Sequence, residues 1–178
     1  MSETPLPIIT PQELNIPLDR DVFLRKLLRE LAGTLQDVVG LEDASGFVSI
    51  VGQRIGDDLN NSYKSALQVS KLPKSQIAEV LVDLKRRING DFFIIEQDDE
   101  KIVFGNRRCP FGTNVLGRPA LCMMTSNVFG SITAENLGYS KVSLEQTIAD
   151  GKPGCRVVVY LKHTPESEQA DGREYFQA

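Results

Sequence analysis

The chain has a single histidine, His163, in 178 residues. That excludes most histidine-based metal chemistry and leaves no imidazole near a thiol for nucleophilic or acid–base work. No phosphate loop, dinucleotide fingerprint or carboxylate pair of telling spacing takes its place; Glu135, Glu145 and Asp150 read as surface or turn residues. An enzyme is therefore the weakest of the function classes. Clustered positive charge is lacking too: 20 Lys and Arg stand against 24 Asp and Glu, a net charge of −4. Phosphate binding needs clustered Lys and Arg, so nucleic acid is not an expected partner. The one compact basic run, Lys85-Arg86-Arg87, falls on the back of a predicted helix and reads as a solvated face. No apolar run approaches the roughly 18 residues of a membrane span. The N-terminus shows no basic region followed by an apolar core, which points to a cytoplasmic chain. Its three cysteines are then expected in a reducing compartment, where a metal or redox role competes with a disulfide.

What the chain does have is ordinary globular composition, 41% hydrophobic and 25% charged, at a length that suits one domain. Residues 1–18 carry prolines at 5, 7, 11 and 17 and read as an extended arm whose Ile8, Ile9, Leu14 and Ile16 can dock on a neighbour. Asp19 suits a helix cap. Leu24, Leu27, Leu28, Leu31, Leu35, Val38 and Val39 then recur at helical spacing as a buried stripe, and Gly40 closes the helix. A second helix runs to Leu67, with Phe47, Val51, Ile55 and Leu59 as its buried line. Gly52 and Gly56, four apart, make a flat strip for close packing against another helix, or else room for a ligand or a dimer contact. A third helix spans Pro73 to Ile88, followed by a hairpin of DFFIIEQ and EKIVFGN. Pro119 opens a fourth helix with Leu121, Met124, Val128, Phe129 and Ile132 on one face, ending at Leu137-Gly138. YSKVSLEQTI and CRVVVYLKH form a second hairpin. The order ααα-ββ-α-ββ is an α+β domain over 19–163, with a four-stranded antiparallel sheet packed against helices and a loose polar tail over 164–178.

This topology bears on the thiols. If the second strand runs up to Cys109, the fourth helix descends about 19 residues, roughly 28 Å. The third strand climbs back about 9 or 10 residues, roughly 30 Å. Cys155, which begins the fourth strand, therefore returns to the level of Cys109 and Cys122. His163, eight residues further down, lies roughly 26 Å away and cannot join them. Cys122 sits in the first helical turn, flanked by Arg107, Arg108 and Arg118, which favours its thiolate. Three thiolates suit zinc or an iron–sulfur centre and leave one position for another ligand. Inert core filling and a Cys109–Cys122 disulfide stay open.

The run from Cys109 through LCMMTSNVFGSITAENLG to LEQTIADGKPGCRVVVYL resembles the C-terminal half of the methanogen output domain 1 family. It is similar, more distantly, to the 4-vinyl reductase domain. There a Cys begins a helix and a Glu-x-x-(C/I)-x-x-Gly-x-x-x-Cys run closes a hairpin; Glu145, Ile148, Gly151 and Cys155 stand in that pattern, Ile148 where many relatives carry another Cys. The upstream VGQRIGDDL fits the glycine-containing helix of the same superfamily. The resemblance implies a sensory or output module that binds small molecules or metals, often as a dimer. The expectation is a stand-alone sensory domain. Cys109, Cys122 and Cys155 would hold zinc, an iron–sulfur centre or another small ligand, and a cavity lined by Phe111, Met123, Met124 and Phe129 would accompany them. A homodimer through the Gly52/Gly56 strip or the N-terminal arm, and a signalling partner, go with that expectation. The alternative is a non-catalytic dimeric scaffold with buried, inert thiols.

Overall fold

A computed structural model describes residues 15–177. The docking residues Ile8, Ile9 and Leu14 of the expected arm lie outside them; Ile16 is exposed. Asp19 caps the first helix, its side chain accepting from the Val22 amide at 2.8 Å. This helix, α1, runs from Arg20 to Leu67. Its two arms are the two helices expected from the sequence, joined across Gly40, whose φ of 86° and ψ of 167° break the helical path. Glycine, without a Cβ, takes that conformation at little cost. Next come α2 (Lys74–Arg87), the hairpin β1 (Phe92–Gln97) and β2 (Lys101–Asn106), and a 3₁₀ turn over Pro119–Leu121. That turn leads into α3 (Cys122–Leu137), then the hairpin β3 (Tyr139–Gln146) and β4 (Cys155–Tyr160).

The sheet has five antiparallel strands in the order β1-β2-β4-β3-β5, one more than the sequence leads one to expect. The extra strand, β5 (Arg173–Phe176), and the short α4 (Pro165–Gln169) come from the stretch read as a loose tail. Thr164 and Ser167 form a reciprocal capping box that starts α4. Tyr175 then anchors β5: its ring fills the space over Gly130, and its hydroxyl meets Ser126 Oγ at 2.8 Å. One buried aromatic in a polar stretch carries little periodic signal, although it holds the segment down.

α2 and α3 cover the inner face of the sheet. Ile77, Leu81, Phe129 and Ile132 meet Ile102, Phe104, Val142 and Val159 there in one core. No described helix is long and apolar enough to cross a membrane.

α1 packs differently from the expectation. Leu24, Leu27, Leu28, Leu31, Val38, Val39, Phe47, Val51 and Ile55 are all exposed, Leu31 at 59% and Val38 at 76%. The buried side carries Ala44, Ser49, Gly52, Gly56 and Asn60 instead. A Cβ on Gly52 would lie 2.9 Å from the Asn127 Cβ, and one on Gly56 would lie 3.3 Å from the Val128 Cα. The glycine strip is thus occupied by α3 of the same chain, the close-packing alternative, and is not free for a second copy. A helix presents one stripe to a neighbour, and here the small residues took it because they let the backbones approach. Buried amides tie the contact: Asn136 Nδ2 donates to Asn60 Oδ1 at 2.8 Å, and Asn136 Oδ1 accepts from the Leu72 amide at 2.7 Å.

Candidate functional site

Between α1, α2 and α3 lies a cavity of 620 Å³, within the roughly 300–1,000 Å³ of small-molecule sites. Val51, Ile55 and Leu59 line it from α1, Leu84 and Lys85 from α2, and Met124 and Val128 from α3; Phe111 and Leu121 come from the β2–α3 connection. Beside it sits a second void of 30 Å³, room for roughly one or two water-sized groups. Phe111 and Leu121 border both spaces.

Cys109, Cys122 and Cys155 all line the smaller void, together with Asn106, Thr125 and Thr147. The strand and helix lengths explain why: Cys155 pairs across the sheet with Asn106, the last residue of β2, three before Cys109. His163 stacks on Tyr139, at the opposite end of β3, with ring centroids 4.0 Å apart. All three cysteines are free thiols, so the Cys109–Cys122 disulfide is not formed. Cys155 Sγ accepts from Asn106 Nδ2 at 3.7 Å and from the Ile148 amide at 3.5 Å. Burial pushes the Cys109 thiol up, opposed by a hydrogen bond from the Phe111 amide. Cys122 is pushed up to about 12, by burial first and then by Cys109 and Cys155. This reverses the expectation that its helical position favours the thiolate. The 3₁₀ turn Pro119–Leu121 leads directly into α3, so Cys122 does not stand at an open helix end, and desolvation wins.

The flanking arginines are engaged elsewhere. Arg107 lies over the Phe93 ring and near Asp91, Arg108 donates to the Asn89 carbonyl, and Arg118 faces Asp37. Among the described residues, no group of three or more His, Cys, Asp or Glu side chains is arranged to hold a metal ion.

The residue that sequence reasoning missed is Lys85. It is only 3% exposed, not part of a solvated basic face; Arg86 and Arg87 are exposed and pair with Asp83. It lines the large cavity, and its Nζ donates to Thr125 Oγ1 at 2.8 Å. The ammonium lies 5.4 Å and 5.3 Å from the ring centres of Phe92 and Phe129. Burial pulls its pKa down to about 8, opposed by the three thiols only to the extent that they ionise. A signal existed: Lys85 falls four residues after Leu81 and eight after Ile77, on the buried line of α2.

Of the four expected lining residues, Phe111 and Met124 border the cavity. Phe129 is fully buried between Phe92 and Phe104, under the Lys85 ammonium. Met123 borders neither void, and its carbonyl accepts from Asn127 Nδ2.

The sequence profile of methanogen output domain 1 matches residues 27–160, three quarters of the chain and all of this site. The chain belongs to that family. No curated protein matches it. Among solved structures, it is similar to a trafficking protein particle complex subunit 3 from Naegleria fowleri covalently bound to palmitic acid. The identity is 13%, with 79% of this chain and 96% of that one covered, at a TM-score of 0.60. It is also similar to the phenol-responsive sensory domain of the transcription activator PoxR, solved with phenol, at 17% identity over 88% of this chain and 82% of that one, TM-score 0.58. The family member thus shares its fold with a sensory domain and with a trafficking subunit.

Proposed function

We propose that this methanogen output domain is a sensory or regulatory module that takes a small, largely apolar molecule into the cavity between α1, α2 and α3. The cavity itself is the observation that carries the reading: 620 Å³ of space walled almost entirely by aliphatic and aromatic side chains. Leu28, Val51 and Ile55 on its wall are exposed, so the space opens to the surface and has the size and apolar lining of a small-molecule site. Two other bearers of the fold support this reading, since one was solved with phenol and one with palmitic acid. Native mass spectrometry of the purified chain, followed by displacement of a fluorescent apolar probe by phenol and by palmitate, tests it. Saturable one-to-one binding that Met124→Trp weakens at least tenfold is the expected result. The absence of any saturable binding overturns it.

The module acts as a homodimer in this reading, and the second copy covers the apolar side of α1. Leu28, Val51 and Ile55 are exposed and also line the cavity, so a copy docked there closes the ligand space and feels its contents. A ligand that alters this contact biases dimerisation and, through it, a signalling partner.

A second reading concerns the thiols, favoured by their meeting on one 30 Å³ void. Soft sulfur donors fit zinc or an iron–sulfur centre, which Cys109, Cys122 and Cys155 would hold. Thiols held protonated by burial must release protons on binding, so uptake falls as pH drops. Anaerobic reconstitution with zinc, and separately with iron and sulfide, tests this against Cys-to-Ser variants at each position. Bound metal below about 0.1 per wild-type chain removes the reading and leaves the thiols inert.

A further inference from the structure

We infer that the molecule in this cavity is an amphiphile with a single carboxylate head, and that Lys85, with the Thr125 hydroxyl beside it, is the group that recognises the head. The inference rests on the cavity reading above. Burying an ammonium costs free energy that a countercharge offsets best. Around Lys85 Nζ the structure supplies one hydroxyl and two ring faces, all neutral. Among the described residues, the ionisable groups that act on it are the thiols of Cys109, Cys122 and Cys155, and none is a carboxylate.

The other cation on the cavity wall, Arg87, already pairs with Asp83 at 2.6 Å, and the Tyr63 hydroxyl donates to the same carboxylate at 2.6 Å. Lys85 is therefore the one lining cation, among the described residues, that has no carboxylate. Its position fits an amphiphile. Lys85 belongs to the wall of the large apolar space, and its tip reaches Thr125, which borders the small void. A head placed at this junction meets the ammonium and leaves the chain among Leu59, Met124 and Val128. One carboxylate balances one ammonium, and its few atoms suit the small volume there. A phosphate would bring up to two charges against a single cation. Burial lowers the Lys85 pKa to about 8, and a carboxylate seated beside it would raise it again.

The experiment measures binding of dodecanoate and of its uncharged methyl ester by calorimetry, below their micelle-forming concentrations, to wild type, Lys85→Met and Lys85→Arg. Wild type is expected to bind dodecanoate at least tenfold tighter than the ester. Lys85→Met should bring the two affinities to within a factor of two of each other, chiefly by weakening dodecanoate, and Lys85→Arg should keep the preference for the acid. Equal wild-type affinities for acid and ester overturn the inference and leave the cavity reading standing. A preference for the acid that survives Lys85→Met overturns it too, since another group must then hold the head. Binding of neither molecule to wild type removes the cavity reading and this inference together. The comparison of acid with ester on wild type decides the matter even if a variant does not fold.

Discussion

α1 and α3 lie side by side and obey opposite rules. α1 is rich in leucine, isoleucine and valine, and of its 48 residues only seven are buried, among them two alanines and three glycines. α3 is less regular in its pattern, yet ten of its 16 residues are buried, including Ser126, Asn127, Ser131, Thr133 and Asn136. The difference teaches that burial follows position between layers rather than hydrophobicity. α3 has the sheet on one side and α1 on the other, so its polar residues are enclosed: Asn136 finds three partners and Ser126 meets the Tyr175 hydroxyl, whereas Ser131 Oγ and Thr133 Oγ1 are buried without one. Among the described residues, α1 has neighbours on one side only, and Gly52 and Gly56, which allow the closest approach, face α3 there.

The sharpest way to break the contrast is to hollow the buried helix. Phe129 is fully buried in edge-on contact with Phe92 and Phe104. Phe129→Ala should cost about 4 kcal/mol in urea denaturation, whereas Leu31→Ala on α1 should cost less than about 0.5 kcal/mol in the monomer. Comparable losses at the two positions would show that α1 is buried too.

The next test strikes the seam. Gly52→Val puts a branched side chain where the Asn127 Cβ and the Met124 backbone already stand, and should cost about 3 kcal/mol by thermal denaturation. Gly46→Ala, on the same helix with open space around its Cβ, should be neutral or stabilising by about 1 kcal/mol.

A smaller effect separates the charge buried between the helices from those on their surfaces. Lys85 falls from an ordinary pKa of 10.5 to about 8 in the folded chain. The unfolded chain therefore holds more protons between pH 8 and 10.5, and stability rises with pH across that window. Cys109 and Cys122, whose folded thiols lie above their ordinary 9.0, act in the opposite direction, with stability falling as pH climbs through 9. Because the Lys85 ammonium also acts on Cys109, the difference is taken in a background with Cys109, Cys122 and Cys155 replaced by Ser, where the thiol contribution is absent. In that background, the chain with Lys85 should gain about 1 kcal/mol on the one with Lys85→Met between pH 8 and 9. A flat difference would mean that water reaches the ammonium. The smallest expected change in folding free energy belongs to Leu27→Asp with Leu31→Asp, under about 0.5 kcal/mol for the monomer. The same pair should halve the mass seen by analytical ultracentrifugation, and an unchanged mass would remove α1 from the dimer contact.

The order of the helices and of the first four strands was legible in the sequence because each carries its own period and its own stop signals: Gly40, Asn89-Gly90, Gly138, the turn at 149–154. The meeting of the thiols was legible too, since it needs only the rise of a helix and of a strand. What only the tertiary structure decided is which side of each element faces in. Local periodicity marks an apolar stripe but does not say whether a neighbour is there to cover it, so the leucines of α1 read as core and stand exposed. Lys85 read as solvent-facing from its basic neighbours, yet the seating of α2 against Thr125 and two phenylalanines took it inside. β5 depends on a long-range slot at Gly130 that nothing near Tyr175 in sequence announces. The Cys122 thiol shows the same division: the sequence placed it at a helix start, but its proton affinity was decided by burial among two other thiols, which is a property of the assembled fold.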